Sequence, residues 1–149
     1  MNAFYFGATE RPLFGVYLPA NPSRDRSSGV VLCYPHGWEY LRGHRAFRQL
    51  AARLAEAGFH VLRFDYFGTG DSGGEAWDGS PDLWLEDTAA AVEELRDMAG
   101  VRTVSLVGMR LGAVLAARLA ASRRDLDRLG LWDPVISGAE HLGRLAEAH

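Results

Sequence analysis

The sequence predicts an α/β protein, a three-layer sandwich in which a mostly parallel sheet of about six strands carries helices on both faces. The first observation is a set of unbroken apolar runs of strand length, the form taken by strands that are buried on both faces. The second is that segments with a helical spacing of apolar residues separate these runs. Strands that are joined by helices need crossover connections, so we expect parallel pairing.

An N-terminal hairpin precedes the alternating part of the chain. Residues 4–6 and 13–18 are rich in aromatic and β-branched side chains, and a polar turn with Pro12 separates them. Further strands are predicted at residues 30–34, 60–64, 103–107 and 128–132. Helices are predicted from Arg45 to Gly58, from Ser80 to Met98, over residues 111–122 and over a short tail at residues 139–148.

Length and composition limit the classes of function. At 149 residues the chain fits one domain, residues 1–149, which is short for a complete α/β enzyme. A net charge of −3 provides no basic face, so we expect no nucleic-acid partner. No apolar run reaches the ~18 residues of a membrane span, and the N-terminus has no export signal. The single cysteine, Cys33, is interpreted as a packed core thiol, and we expect a cytoplasmic protein.

Residues 108–112, with the sequence GMRLG, lie between a predicted strand and a predicted helix. This is the setting of the nucleophile elbow G-x-S-x-G, whose glycines permit a sharp turn. The central position holds Arg110 instead of serine, and arginine has no accessible deprotonated form that could attack a carbonyl. The alternative is an ordinary strand-turn-helix connection that happens to contain two glycines.

A second motif, residues 35–39 with the sequence PHGWE, directly follows the strand at residues 30–34. In hydrolases a loop of this type directs a backbone N–H toward the developing oxyanion, beside the N–H of the residue after the nucleophile. The candidate ligand-binding residues are therefore Gly37, Trp38, Arg110 and Leu111. The alternative is an ordinary turn in which His36 makes a local hydrogen bond.

A glycine-rich segment, residues 65–74 with the sequence DYFGTGDSGG, contains two misleading signals. Its G-x-G-x-x-G pattern is not followed at once by a helix, as a dinucleotide site requires. Its GDSGG pentapeptide belongs to proteases with an all-β fold. We therefore expect a structural loop in which Asp65 or Asp71 accepts backbone N–H groups. We expect neither a cofactor nor a metal ion.

Together with residues 131–134 (LWDP), these motifs resemble the α/β-hydrolase superfamily in its serine-aminopeptidase-like and lysophospholipase-like branch. More narrowly, the chain is similar to the exosortase A system-associated hydrolases, including a subgroup whose elbow carries arginine. The likeness covers essentially all 149 residues. The resemblance implies an eight-stranded sheet with the nucleophile after strand five, the acid usually after strand seven and the histidine after strand eight. On that count the chain ends after strand six, and we expect a truncated domain without the acid and the histidine.

Other candidates for catalytic roles are weak. Asp133, at the end of strand six, occupies an acid position that some lipase-like members use, but a helix- or turn-capping role before Pro134 is the favoured interpretation. The histidines that match no motif are His44, His60, His141 and His149. Cys33, Ser72 and Ser105 have no base at a recognisable spacing.

Two functional hypotheses follow from the sequence. In the first, the protein is a pseudoenzyme that binds a small anionic ligand or a partner, with Arg110 projecting into the cleft. A cation at a helix N-terminus needs compensation, which Glu39, Asp65, Asp133 or the ligand could supply. The alternative role for Arg110 is an internal ion pair.

In the second hypothesis the chain is a hydrolase of ester, thioester or amide bonds that uses an unconventional site or is completed by another chain. The apolar edge of the last strand would then favour pairing with a second copy or a partner.

Overall fold

The structure, a computed structural model, describes residues 1–147 and contains a single six-stranded sheet with the strand order β1-β2-β4-β3-β5-β6. The strands are β1 (Asn2–Ala8), β2 (Arg11–Leu18), β3 (Ser28–Cys33), β4 (His60–Phe64), β5 (Thr103–Met109) and β6 (Leu126–Trp132). The helices are α1 (Trp38–Glu56), α2 (Pro81–Ala99), α3 (Leu111–Ser122) and α4 (Gly138–Glu147). None of these helices is long and apolar enough to cross a membrane.

The sheet is antiparallel at one side and parallel elsewhere, as the sequence predicts. β1 and β2 form the N-terminal hairpin, and β2 pairs with β4 in antiparallel register. β3 pairs in parallel with β4 on one side and with β5 on the other, and β5 pairs in parallel with β6. The predicted α/β fold class is confirmed.

Helices cover both faces of the central strand β3, because successive side chains of a strand point to opposite faces. A Cβ placed on Gly29 would lie 2.7 Å from a methyl carbon of Leu95, so α2 covers that face. On the opposite face Tyr34, just beyond β3, packs its ring against Phe47 of α1 with 4.9 Å between ring centroids. All six residues of β3 are buried, which explains its unbroken apolar sequence.

The first helix begins earlier than predicted. It starts at Trp38 rather than at Arg45, because Gly37, with φ 65° and ψ −136°, turns the chain directly from β3 into the helix. No Ser, Thr, Asp or Asn side chain caps this start, so the usual sequence signal is missing. At the other end Gly58 has φ 101°, and a Cβ there would lie 2.0 Å from the carbonyl oxygen of Arg24.

The later helices follow the prediction closely. Ser80 caps α2 by accepting a hydrogen bond from the backbone N–H of Leu83 at 3.3 Å, and Pro81 follows at the first helical position. The helix at residues 111–122 has the predicted bounds. The predicted tail helix is present as α4, but residue 148 lies outside the described residues.

The glycine-rich loop is held together by Asp65, as expected for a structural segment. The Asp65 carboxylate accepts hydrogen bonds from the backbone N–H of Asp71 at 3.0 Å and from the Tyr40 hydroxyl at 2.8 Å. The Ser72 hydroxyl donates to the Asp65 carbonyl oxygen at 2.6 Å and accepts from the backbone N–H of Phe14 at 2.8 Å. The expectation that Asp65 bonds a backbone N–H is confirmed.

The two elbow glycines are required by close backbone packing. A Cβ on Gly112 would lie 2.1 Å from the carbonyl oxygen of Cys33 and 2.4 Å from that of Tyr34. A Cβ on Gly108 would lie 2.3 Å from the carbonyl oxygen of Gly112. The N-terminus of α3 is therefore pressed against the end of β3, where the residues of the PHGWE motif begin.

Gly112→Ala is expected to lower the free energy of unfolding by at least about 2 kcal/mol, because the atoms that its Cβ would meet belong to the backbone and cannot rotate away. The matched control is Gly143→Ala in α4, where a Cβ has no neighbour within 4 Å and where we expect a change of less than about 1 kcal/mol. Urea unfolding followed by circular dichroism measures both. Equal midpoints for wild type and Gly112→Ala would contradict the packing argument.

Candidate functional site

The backbone at Arg110 has the geometry of a nucleophile elbow. Arg110 lies between β5 and α3 with φ 55° and ψ −119°, a left-handed conformation that is rare for a residue with a side chain. Its backbone N–H donates to the carbonyl oxygen of Trp132 at 3.1 Å, and its own carbonyl oxygen accepts from the backbone N–H of Ala113 at 3.1 Å. The sharp turn is therefore present although the serine is not.

The Arg110 side chain bridges the start of α1 and the residue after β6. Its Nε donates to Oε1 of Glu39 at 2.9 Å. One Nη atom donates to the carbonyl oxygen of Asp133 at 3.0 Å and lies 3.4 Å from a carboxylate oxygen of the same residue. Only 17% of the Arg110 side chain is exposed. The guanidinium group is therefore held inside the protein by two acidic residues.

This arrangement supplies the charge compensation that a cation at a helix N-terminus needs. Of the acids that the sequence suggested, Glu39 and Asp133 reach Arg110, whereas Asp65 is engaged by Tyr40 and by its own loop. Burial raises the pKa of the Asp65 carboxyl above its ordinary value. Asp133 follows β6 with φ 47°, and its side chain is largely exposed. Its carboxylate lies beside the Arg110 guanidinium group.

A cleft of about 510 Å³ opens beside Arg110 at the carboxyl end of the parallel strands. Its lining residues are Glu39, Arg42, Gly43, Ala46, Met109, Arg110, Trp132, Asp133 and Arg144. We call this space the elbow cleft. An adjoining cavity of about 350 Å³ shares Glu39, Arg42 and Arg144 with it and adds Trp38, His141 and Leu145. Ligands of open α/β sheets bind at this edge of the sheet.

The structure brings some of the predicted site residues together and separates others. Arg110 and Asp133 both line the elbow cleft, and Trp38 lines the adjoining cavity. Gly37 lines a different cavity of about 370 Å³, which lies between the PHGWE motif and the glycine-rich loop. Leu111 is the first residue of α3 and is partly buried against the core. The ligand-binding roles of these residues stay predictions.

One histidine lies near the elbow although no motif pointed to it. His141 of α4 is buried and lines two cavities beside Arg110. His36 packs against Trp84 with 4.6 Å between ring centroids. Burial lowers the pKa of His36, and the neighbouring imidazole of His141 lowers it further. The two imidazoles are thus close enough to influence each other.

The remaining histidines have structural surroundings. His60 lies at the opposite end of the sheet, where its Nδ1 is 2.7 Å from the Tyr17 hydroxyl. His44 stacks on Tyr34 with 5.6 Å between ring centroids. His149 lies outside the described residues.

The other nucleophile candidates are buried away from the elbow cleft. Burial raises the pKa of the Cys33 thiol to about 12, so the thiol stays protonated at neutral pH. Ser72 uses its hydroxyl to hold the glycine-rich loop, and Ser105 is buried within β5. Within residues 1–147, no group of three or more His, Cys, Asp or Glu side chains is arranged to hold a metal ion.

Arg42 and Arg144 line the cleft and were missed by the sequence analysis. Arg42 follows Glu39 by one helical turn, so the two share a face of α1, and this spacing would have grouped them had the helix start been recognised. Arg144 comes from α4, whose placement over the elbow is a long-range contact that no local signal predicts.

The comparisons with known proteins agree with this geometry. The family model described as serine aminopeptidase S33 matches residues 30–148. An uncharacterized protein of Pseudomonas aeruginosa is 38% identical over 79 residues, which cover 52% of this chain and 20% of that protein. The lysophosphatidylserine lipase ABHD12 of Danio rerio is 33% identical over 105 residues, which cover 69% of this chain and 26% of the lipase. The chain thus spans about a quarter of the length of these curated relatives.

Solved structures share the fold. An α/β serine hydrolase homologue from Coxiella burnetii gives a TM-score of 0.70 at 22% identity, over 83% of this chain and 58% of that one. An α/β serine hydrolase without a lid from Xanthomonas campestris gives 0.68 at 27% identity, over 81% and 56%. DcsB, in complex with a substrate analogue, gives 0.76 at 19% identity, over 99% and 51%. The predicted membership of the α/β-hydrolase superfamily is confirmed. Because the matching family model covers most of the sequence, the chain belongs to the serine aminopeptidase S33 family of α/β hydrolases.

Proposed function

We propose that the protein is a non-catalytic α/β-hydrolase homologue, a pseudoenzyme, which binds a small ligand non-covalently in the elbow cleft. The observation that carries this proposal is Arg110, which holds the nucleophile conformation while its guanidinium group pairs with Glu39 and Asp133. A side chain fixed in this way offers no nucleophile to a carbonyl carbon. It also fills space beside the elbow that an acyl group would need.

The backbone around the elbow supports a binding role. The N–H of Leu111, at the first position of α3, has no acceptor within its own helix, so it suits an electron-rich ligand atom. Trp38 and Gly37 line neighbouring cavities and complete the proposed ligand-binding set with Arg110. A one-domain organisation over residues 1–149 and a cytoplasmic location belong to the same proposal, and the single buried thiol of Cys33 supports the latter.

A second candidate function is hydrolysis of an ester, thioester or amide bond through an unconventional site or with residues of another chain. The observation that favours it is His141, a buried imidazole beside Arg110 that could act as a general base. The similarity to a lysophosphatidylserine lipase fits this class of reaction. It lacks a nucleophile within the described residues that line the elbow cleft, so we rank it second.

Purified wild-type protein is expected to hydrolyse short-chain aryl esters and thioesters no faster than a heat-denatured sample, because no serine stands at the elbow. Arg110→Ala should give the same background rate. Release of the aryl alcohol or thiol, followed by absorbance, measures this, with circular dichroism to show that both proteins are folded. Turnover that is lost in Arg110→Ala would contradict the proposal, and turnover lost in His141→Ala alone would favour the second candidate.

The pairing of Arg110 with Glu39 is expected to have a coupling free energy of about 1 kcal/mol in a double-mutant cycle of Arg110→Met and Glu39→Gln. Both side chains are largely shielded from water, so solvent screens their attraction only partly. Urea unfolding of the four proteins measures the coupling.

The control cycle uses Arg144→Met and Glu140→Gln, a pair on the surface of α4 whose side chains are 65% and 62% exposed. We expect less than about 0.5 kcal/mol there. Equal coupling in the two cycles would mean that Arg110 does not join the two sides of the cleft.

We also propose that β6 pairs with a second copy of the chain or with a partner. Within residues 1–147, β6 pairs with β5 alone, so its other edge presents unpaired backbone groups. Leu129 and Leu131 of this strand are 38% and 47% exposed, more than is usual for apolar residues of a sheet. Antiparallel pairing of two such edges would join the sheets of two copies.

Light scattering after size-exclusion chromatography is expected to show a dimer that dissociates on dilution. Leu131→Lys should weaken the dimer by at least about tenfold, because it places a charge on the pairing edge. Ala3→Lys on β1, the opposite edge of the sheet, is the matched control and should leave the dimer unchanged. A monomer at every concentration tested would contradict pairing with a second copy.

A further inference from the structure

The elbow cleft is lined by charged and by apolar residues. The arginines Arg42, Arg110 and Arg144 line it together with the acids Glu39 and Asp133. Met109 and Trp132 supply an apolar wall, together with the small residues of α1. The volume of about 510 Å³ falls within the range of roughly 300–1,000 Å³ that is usual for small-molecule sites.

The three arginines differ in their partners. Arg110 is compensated by Glu39 and Asp133, and Arg144 by Glu140. Within residues 1–147, Arg42 alone of the three makes no ion pair within 4 Å and no other hydrogen bond. Three arginines and three acids, Glu39, Asp133 and Glu140, thus surround the cleft, so these groups carry no net charge, and Arg42 is the arginine that a ligand could pair with.

The acids around the cleft limit how much negative charge a ligand could carry. Glu39 and Asp133 line the elbow cleft itself, and Glu140 lines a further cavity of about 180 Å³ that shares Arg110, Asp133 and Arg144 with the cleft. A dianion placed near Arg42 would be repelled by these carboxylates, whereas a single negative charge would be balanced by one guanidinium group. The chemistry of the rim thus fits a monoanion.

The wall of the cleft adds an apolar requirement. Gly43 lines the cleft beside Met109, and a Cβ on Gly43 would lie 3.0 Å from the Met109 sulfur, so the absence of a side chain leaves room there. The Trp132 side chain is 47% exposed and presents an aromatic surface to the same space. Covering this surface with an aliphatic or aromatic group would remove apolar area from water.

We propose that the elbow cleft binds a small amphipathic carboxylate, whose charged end pairs with Arg42 and whose apolar body packs on Met109 and Trp132. This inference rests on the proposed non-covalent binding role of the cleft. The carboxylate lies beside the Arg110 ion pair and leaves it intact. Arg144 of α4 lines the same cleft, and His141 and Leu145 line the adjoining cavity, so the proposed ligand lies between α1 and α4.

The test is isothermal titration calorimetry of the full chain near neutral pH with octanoate, 3-phenylpropanoate, octan-1-ol and octyl phosphate as probes. We expect both carboxylates to bind at least about tenfold more tightly than the alcohol, because only they can pair with Arg42. Octyl phosphate, largely a dianion at this pH, should bind more weakly than octanoate.

The charged contact is tested by Arg42→Ala, which should weaken octanoate binding at least about tenfold. The matched control, Arg45→Ala on the exposed face of the same helix, lines none of the cavities described above and should leave the affinity unchanged. Trp132→Ala tests the apolar contact and should weaken binding about fivefold or more, with the exposed Trp77→Ala as its control. Hydrogen exchange should show slower exchange in α4 when octanoate is bound.

Equal affinities for octanoate and octan-1-ol, tighter binding of octyl phosphate, or equal effects of Arg42→Ala and Arg45→Ala would each overturn the inference. Absence of octanoate binding together with absence of hydrolysis would overturn the inference alone and leave the non-catalytic assignment in place. Hydrolysis of the aryl esters would instead refute the proposed function, whatever the titrations show.

Discussion

The ion pair between Arg110 and Glu39 is the contact around which the site is arranged. Arg110 stands at the N-terminus of α3, where the helix dipole disfavours a cation by about 0.3–1 kcal/mol at exposed positions. Glu39 stands in the first turn of α1, where the dipole favours an anion. The Glu39 carboxylate, which the dipole of α1 stabilises, therefore offsets the unfavourable interaction of the Arg110 cation with the dipole of α3. The contact with Asp133 then ties the residue after β6 to the same guanidinium group.

The sharp turn itself is required by packing and does not depend on catalysis. A Cβ on Gly112 would collide with the carbonyl oxygens of Cys33 and Tyr34, and a Cβ on Gly108 would collide with the backbone of Gly112. These contacts seat α3 against β3 whatever side chain occupies the central position. The pattern G-x-x-x-G between a strand and a helix is therefore evidence for this fold, whereas activity depends on the one residue that differs, Arg110.

Local signals account for what the sequence predicted correctly. The apolar runs of the parallel strands, the cap at Ser80 and the elbow glycines each act within a few residues, so the positions of the strands and most helix bounds could be predicted from them. The strand order β1-β2-β4-β3-β5-β6 depends on long-range pairing and was not predicted. The start of α1 was missed because Gly37 turns the chain into the helix without a side-chain cap. Glu39 and Asp133 could be named as partners of Arg110 because the PHGWE and LWDP motifs lie at the carboxyl ends of parallel strands, which meet at the same edge of the sheet. The positions of Arg144 and His141 could not, since they depend on how α4 folds back over that edge.

The position of the Arg110 guanidinium group decides where a ligand can lie. Because the guanidinium group is held between Glu39 and Asp133, the proposed ligand lies beside it in the elbow cleft, against Met109 and Trp132. Binding energy gained on these apolar side chains would not act on a reacting bond. Catalysis requires interactions that are stronger in the transition state than in the ground state. In the proposed function, recognition of the ligand is therefore separate from the elbow at which the chemistry of hydrolases takes place.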